Sequence, residues 1–236
     1  MANPWGVPIV FSLGNYVTAW MSVRFAVYAW NSVMITVLSV CLTVLAAVSC
    51  AYPLARFRFR LRGALFLYMI AGLYIPVTII LVPQYLLAND LNLVDTRVGL
   101  VLIYAAINLP YSILILTGFL RNVPHQLEEA GQLDGLNAYG RFFRIIFPLS
   151  KNGMLTVGIF NFIYIWNDYI FALTFLSSSE KRTLPVGLIG LMESFRLRAD
   201  WVTLFAGLAM VMVPSIVLYL IFQARLEENL TAGSLK

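Results

Sequence analysis

Few residues in this chain have types and spacings that could do chemistry. The segment from Glu128 to Gly135 places three acids, Glu128, Glu129 and Asp134, within seven residues, while only 11% of the 236 residues are charged. Such a segment between two long apolar runs either lies on its own domain or presents itself to another surface. Four more polar residues, Asn108, Asn161, Tyr164 and Asp168, sit inside apolar stretches. Ionisable groups in such places usually face a cavity or a partner helix. Asn161 and Asp168 are seven apart, almost two helical turns, and with Tyr164 they form one polar and aromatic stripe. Asn108 stands beside Pro110, which bends helices.

Other chemistries are excluded. Cys41 and Cys50 share one apolar run, so neither a disulfide scaffold nor a four-ligand zinc site can be drawn. His125 has no second histidine to share a metal and reads as a solvated loop residue. No phosphate-cradling G-x-x-x-x-G-K-[ST] occurs, and no Ser/His/Asp set presents itself.

The elements holding these residues must be membrane spans. The chain is 61% hydrophobic with a mean hydropathy of +0.83, where a soluble domain is nearer half apolar and about a quarter charged. A helix crossing the hydrocarbon needs about 20 apolar residues. Runs free of Asp, Glu, Lys and Arg cover 25–55, 63–89, 98–120 and 201–224, and 152–179 holds Asp168 alone. Five spans are therefore expected near 30–52, 64–87, 98–119, 153–176 and 202–223. They are helices rather than barrel strands because the apolar runs do not alternate. The expected fold class is an all-α membrane protein with five transmembrane helices.

Basic residues orient it. With the amino terminus outside, Arg56, Arg58, Arg60, Arg62, Arg121, Arg141, Arg144, Lys151, Arg225 and Lys236 lie inside. Arg24, Arg97, Lys181, Arg182, Arg196 and Arg198 lie outside. The loop "ARFRFRLRG" after the first span weighs most, because the bias acts near span ends. The outer loop 177–200 dissents with four cations. Arginines beside anionic headgroups account for the net charge of +5 without a nucleic-acid partner. Residues 1–29 then form an extracytoplasmic amino-terminal segment, 30–223 one transmembrane domain with a cytoplasmic loop at 121–150, and 224–236 a cytoplasmic tail. The run Val7 to Leu13 is too short for a signal-peptide core or a span. "NYVTAWMS" reads as a short surface segment with interfacial Tyr16 and Trp20.

Within the loop, Pro124 suits a first helical turn, Glu128 and Glu129 suit the positive end of the helix dipole, and Gly135 suits a helix stop. Leu127, Ala130 and Leu133 make a small apolar stripe at helical spacing, and Ala130 and Gly131 let another surface come close.

"EEAGQLDGLNAYGRFFRIIFP" resembles the EAA loop of binding-protein-dependent ABC importer permeases. That loop reads Glu-Ala-Ala, three residues, Gly, nine residues, Ile, one residue, Leu-Pro. Here Glu129, Ala130 and Gly131 precede Gly135, Ile145 and Phe147-Pro148; Gly131 and Phe147 depart from the pattern. "NSVMIT", "IYAAINLPYSI", "WNDYIFAL", "TLPVGL" and "LTAGSLK" resemble the carbohydrate branch, so the resemblance runs from about Ser12 to the end. The resemblance implies a pore half for sugar uptake in a bacterial or archaeal inner membrane. The implied partners are a second permease, two cytoplasmic ATPases and an extracytoplasmic binding protein. Glu128, Glu129, Ala130, Gly131, Asp134, Gly135, Ile145 and Pro148 would couple to an ATPase. ATP and Mg would be used by those subunits, with no cofactor on this chain and no enzymatic step. Asn108, Asn161, Tyr164 and Asp168 are candidates for the sugar path, since hydroxyls out of water need partners. Asp168 has a second reading, as a cap or an inter-helix bond. Five spans against the family's usual six imply that the first is absent. The alternative from another class is half of an ion-coupled secondary transporter, which uses ionisable residues near the midplane.

Overall fold

The computed structural model describes residues 13–22, 24–198 and 201–234, and every regular element among them is helical. Residues 1–12, with most of the Val7–Leu13 run, and Lys236 lie outside the described residues. The short helix α1 (Gly14–Ser22) forms where the surface segment is expected. It packs against the last long helix, with Ala19 fully buried.

Helix α2 (Phe25–Arg56) covers the first expected span and overshoots it at both ends. Its 32 residues reach roughly 48 Å at the α-helical rise, so it stands proud of a hydrocarbon layer about 30 Å thick. Ser39 and Thr43 donate to the carbonyls of Ile35 and Ser39, each at 2.7 Å, so these buried hydroxyls are satisfied within the helix.

The second expected span, 64–87, is not one helix. It divides into α3 (Arg62–Ala71), a 3-10 turn at Gly72–Tyr74 and α4 (Leu81–Asp90). Pro76 is the cause. It lacks an N–H and forces the residue before it out of helical geometry, and Ile75 is extended at φ −96°, ψ 118°. The β-branched residues Val77, Thr78, Ile79 and Ile80 follow, and they resist helix restart.

Helix α5 (Arg97–Arg121) matches the third expected span. Thr96 caps it, accepting from the Gly99 N–H at 3.0 Å. Next come α6 (Gln126–Leu133), α7 (Ala138–Arg141), a π turn at Phe142–Ile146 and α8 (Phe147–Leu149). The fourth expected span, 153–176, is also broken, into α9 (Lys151–Asn167) and α10 (Ile170–Phe175), with Asp168 extended between them. In the outer loop, α11 (Leu184–Arg198) is a helix where a loop is expected. Helix α12 (Trp201–Ser234) contains the last expected span and continues through most of the expected tail.

Among the described residues, three segments are long and apolar enough by themselves to cross a membrane: Phe25–Arg56, Arg97–Arg121 and Trp201–Gln223. The central pair is α2 and α5, packed along most of their length. Small residues make that possible: Ala47, Ala51 and Ala55 of α2 lie buried against Ile113, Leu116 and Leu120 of α5. Close backbone approach replaces hydrophobic expulsion as the source of helix packing in lipid. The opposite sides of α2 and α12 expose Leu38, Leu42, Leu45, Phe205 and Leu220.

Candidate functional site

Helix α6 is short, and both of its ends are hydrogen-bonded. The N–H groups of Glu128 and Glu129 donate to the His125 carbonyl at 3.0 and 3.1 Å. Pro124 stands one residue before the cap position, not in the first turn as expected. At the far end, Leu136 N–H donates to Gly131 O at 2.9 Å and Gly135 N–H to Gln132 O at 3.0 Å. That is a Schellman stop, and it needs a left-handed residue just beyond the cap. Gly135 supplies it with φ +83°.

The residues expected to couple do not all point the same way. Glu129, Ala130, Asp134 and Gly135 are exposed. Leu127 and Leu133 flank them, and Leu133 is 89% exposed. Glu128 turns inward. Its Oε1 lies 2.8 Å from Arg56 Nε, and its Oε2 accepts from the Tyr52 hydroxyl at 2.9 Å. Gly131 is buried as well, because a Cβ there would strike the Ile145 side chain. Its smallness therefore admits a neighbour from this chain, the π turn, and not an outside surface. Pro148 is exposed in the first turn of α8.

The polar residues of the spans are largely engaged with one another. Asn161 is 1% exposed and donates from Nδ2 to Ser112 Oγ at 3.0 Å. Ser112 donates to the Asn108 carbonyl at 2.7 Å, and Asn108 donates to the Tyr104 carbonyl at 2.8 Å. Asp168 Oδ2 accepts from the Tyr104 hydroxyl at 2.8 Å and from the N–H groups of Phe171 and Ala172 at 3.1 and 3.2 Å. Asp168 is thus both a helix cap and an inter-helix bond. Asn161 and Asp168 close the α5–α9 seam at two levels, while Tyr164 alone of the stripe is exposed. Val77, beside one helix break, and Tyr169, beside the other, pack on the same apolar cluster.

A third group was not singled out from the sequence. Asp95 accepts from the N–H groups of Ser177 and Ser178 at 3.0 and 2.9 Å, from the Ser178 hydroxyl and from Lys181 Nζ at 2.8 Å. The Lys181 and Ser178 hydrogen bonds hold its carboxyl well below the usual carboxylate range. Beside it, Arg97 Nε donates to Asn31 Oδ1 at 2.9 Å, and Asn31 Nδ2 donates to the carbonyls of Glu180 and Arg182 at 2.9 and 3.0 Å. These bonds clasp α2, the start of α5 and the loop 177–182 together. A hint in the sequence is Asp95-Thr96 before an apolar run, which reads as a helix start.

Long apolar helices and two broken apolar stretches define, among the described residues, an all-helical, multi-pass membrane protein. The chain belongs to the family described as the binding-protein-dependent transport system inner membrane component, which it matches over residues 39–231, from within α2 to near the end of α12. It is therefore a permease component of an ABC transporter and not an enzyme. It is 32% identical to a diacetylchitobiose uptake system permease of Streptomyces coelicolor, over 100% of this chain and 78% of that one. It is 33% identical to a melibiose/raffinose/stachyose import permease of Bacillus subtilis, over 100% of this chain and 85% of that one. Its fold is similar to that of a chain in a bacterial ABC transporter involved in alginate import. There the TM-score is 0.82 at 22% identity, covering 95% of this chain and 83% of the other. The ion-coupled alternative falls with this result, and Asp168, the ionisable residue it required, serves as a cap.

Proposed function

We infer that the chain forms half of a pore for ATP-driven sugar uptake, paired with a second permease. The relatives named for oligosaccharide uptake support the sugar class. Five crossings are made by α2, by α3 with α4, by α5, by α9 with α10, and by α12. The end carrying α6 is cytoplasmic, since Arg56, Arg58, Arg60 and Arg62 gather there. Residues 1–29 are extracytoplasmic and 224–236 cytoplasmic. Two cytoplasmic ATPase subunits hydrolyse ATP with Mg, and an extracytoplasmic binding protein delivers the solute from outside.

The observation that carries this reading is the outward face of α6. Leu127, Ala130 and Leu133 form a continuous apolar strip on a helix with fixed ends, and Glu129 and Asp134 edge it with charge. A nearly bare leucine at a polar surface is a knob for a partner's cleft. One ATPase takes this helix and moves it as nucleotide binds. The solute path runs by the two broken spans, because irregular backbone at membrane depth is tolerated only against protein or a water-filled cavity. Tyr164 is the stripe residue open to such a path, and Asn108, Asn161 and Asp168 hold the wall behind it.

The test is co-purification of the assembled transporter. Leu133→Asp is expected to leave membrane insertion intact and to lose the ATPase subunits on detergent extraction. Retention of the ATPases at the original stoichiometry would refute the assignment of α6.

A further inference from the structure

Adjacent acids on α6 have opposite surroundings. Glu129 is exposed, whereas the side chain of Glu128 is 12% exposed and that of its partner Arg56 only 2%. Arg56 stands on the last turn of α2 and its guanidinium reaches two ways. Nε meets Glu128 Oε1 at 2.8 Å, a charge contact off the hydrogen-bond line, and Nη2 donates to the Val123 carbonyl at 2.6 Å. Val123 lies in the link between α5 and α6. Tyr52, one turn earlier on α2, donates to the other Glu128 oxygen at 2.9 Å, and its ring packs on Phe142 of the π turn at 5.2 Å. One guanidinium and one phenol therefore tie the end of α2 to both the link before α6 and α6 itself. Arg62 finishes the arrangement by donating to the Leu54 and Ala55 carbonyls at 2.8 and 3.2 Å, which holds the last turn of α2 closed.

We propose that Arg56, Tyr52 and Glu128 form a rigid clasp through which movement of α6 is delivered to α2, so that Glu128 is a positioning residue and not a docking residue. The proposal rests on the reading of α6 as the ATPase-contacting helix. The chemistry fits a joint that transmits force. A buried ion pair resists separation, because parting its members leaves two unpaired charges out of water, and a forked guanidinium resists rotation where an ammonium would swivel. Glu129, one residue on, remains free for the partner.

The clasp is tested in the whole transporter, assembled with its own ATPase subunits in lipid. Spin labels are placed at Leu45→Cys on α2 and Gln132→Cys on α6, with Cys41 and Cys50 replaced by serine. In the unmodified background, one narrow distance is expected both without nucleotide and with ATP trapped by vanadate. Glu128→Gln is expected to abolish that single narrow distance, while the ATPase subunits still co-purify. Arg56→Lys, which keeps the charge and loses the fork, is expected to do the same, and serves if Glu128→Gln fails to insert. A narrow distance persisting through both nucleotide states in either variant overturns the clasp. So does loss of the ATPases on Glu128→Gln, which would make Glu128 a docking residue. The Leu133→Asp variant separates the two readings: if it retains the ATPases while Glu128→Gln loses the narrow distance, the clasp stands and the docking assignment fails.

Discussion

Gly135 illustrates how one residue's conformation governs the end of a helix. At φ +83° it occupies a region that only glycine enters at no cost, and beyond its chain neighbours no atom lies within 4 Å of where its Cβ would sit. A larger side chain has room, so any damage comes from the backbone alone. Gly135→Val places a β-branched residue at positive φ, with strain of about 1–3 kcal/mol. The chain relieves it by opening the Schellman stop, which reorients α6 without disturbing the spans. The expected result is normal insertion with loss of ATPase subunits during purification. An unchanged complex would mean that the stop does not orient α6. The sequence announced this turn, since Gly after Asp at the end of an apolar stripe is a helix terminator. It did not announce the opposed directions of Glu128 and Glu129, because the partners of Glu128 lie on α2 and no local pattern points to them. Gly131 misled for a related reason: its smallness serves Ile145, which is close in space only once the π turn has formed.

At the scale of elements, hydropathy located all five apolar runs but could not see which stay continuous. The run 64–87 carries no charge, yet Pro76 and its β-branched neighbours break it. The run 153–176 breaks at Asp168, whose carboxylate satisfies the N–H groups that the new helix leaves open. Two of the outer cations have an account too. Lys181 is tied to Asp95, and Arg97 to Asn31 and the Glu180 carbonyl, so they act as fasteners between elements. Asp95→Asn should loosen this fastening by on the order of 1 kcal/mol, the scale of a partly exposed pair. The sign with pH follows from the depressed folded-state value of Asp95. Its contribution is complete above the ordinary carboxylate range, about pH 4, and is lost only as pH falls through the lower folded-state value. Thermal unfolding in detergent should therefore separate the unmodified chain from Asp95→Asn at pH 7 and equally at pH 5, with the gap closing only in stronger acid. A gap that closes between pH 7 and 5 would mean that Asp95 does not hold the loop in its charged form.

At the scale of the whole molecule, the Arg56 and Tyr52 bonds to Glu128 bring the arginine-rich loop and α6 to one end, so the two must share a side of the membrane. Cysteines at 59 and 132, in a chain lacking Cys41 and Cys50, should resist an impermeant thiol reagent in intact cells and react after permeabilisation. Labelling of either from outside would invert the molecule. If α3 and α4 together make one crossing, as proposed, their break has a consequence for biosynthesis. Helices α3 and α4 have 10 residues each, or roughly 15 Å, half the thickness of the hydrocarbon. Neither can enter a bilayer alone. On that topology an insertion machine that weighs hydrophobicity would meet 63–89 as one stretch and admit it whole. The bend can settle only after α5 and α10 arrive to wall it, since bare peptide groups in lipid cost several kcal/mol each. Membrane entry and helix breakage are thus separate events in the life of this segment, and the proline that shapes the finished transporter is silent while the chain is being threaded.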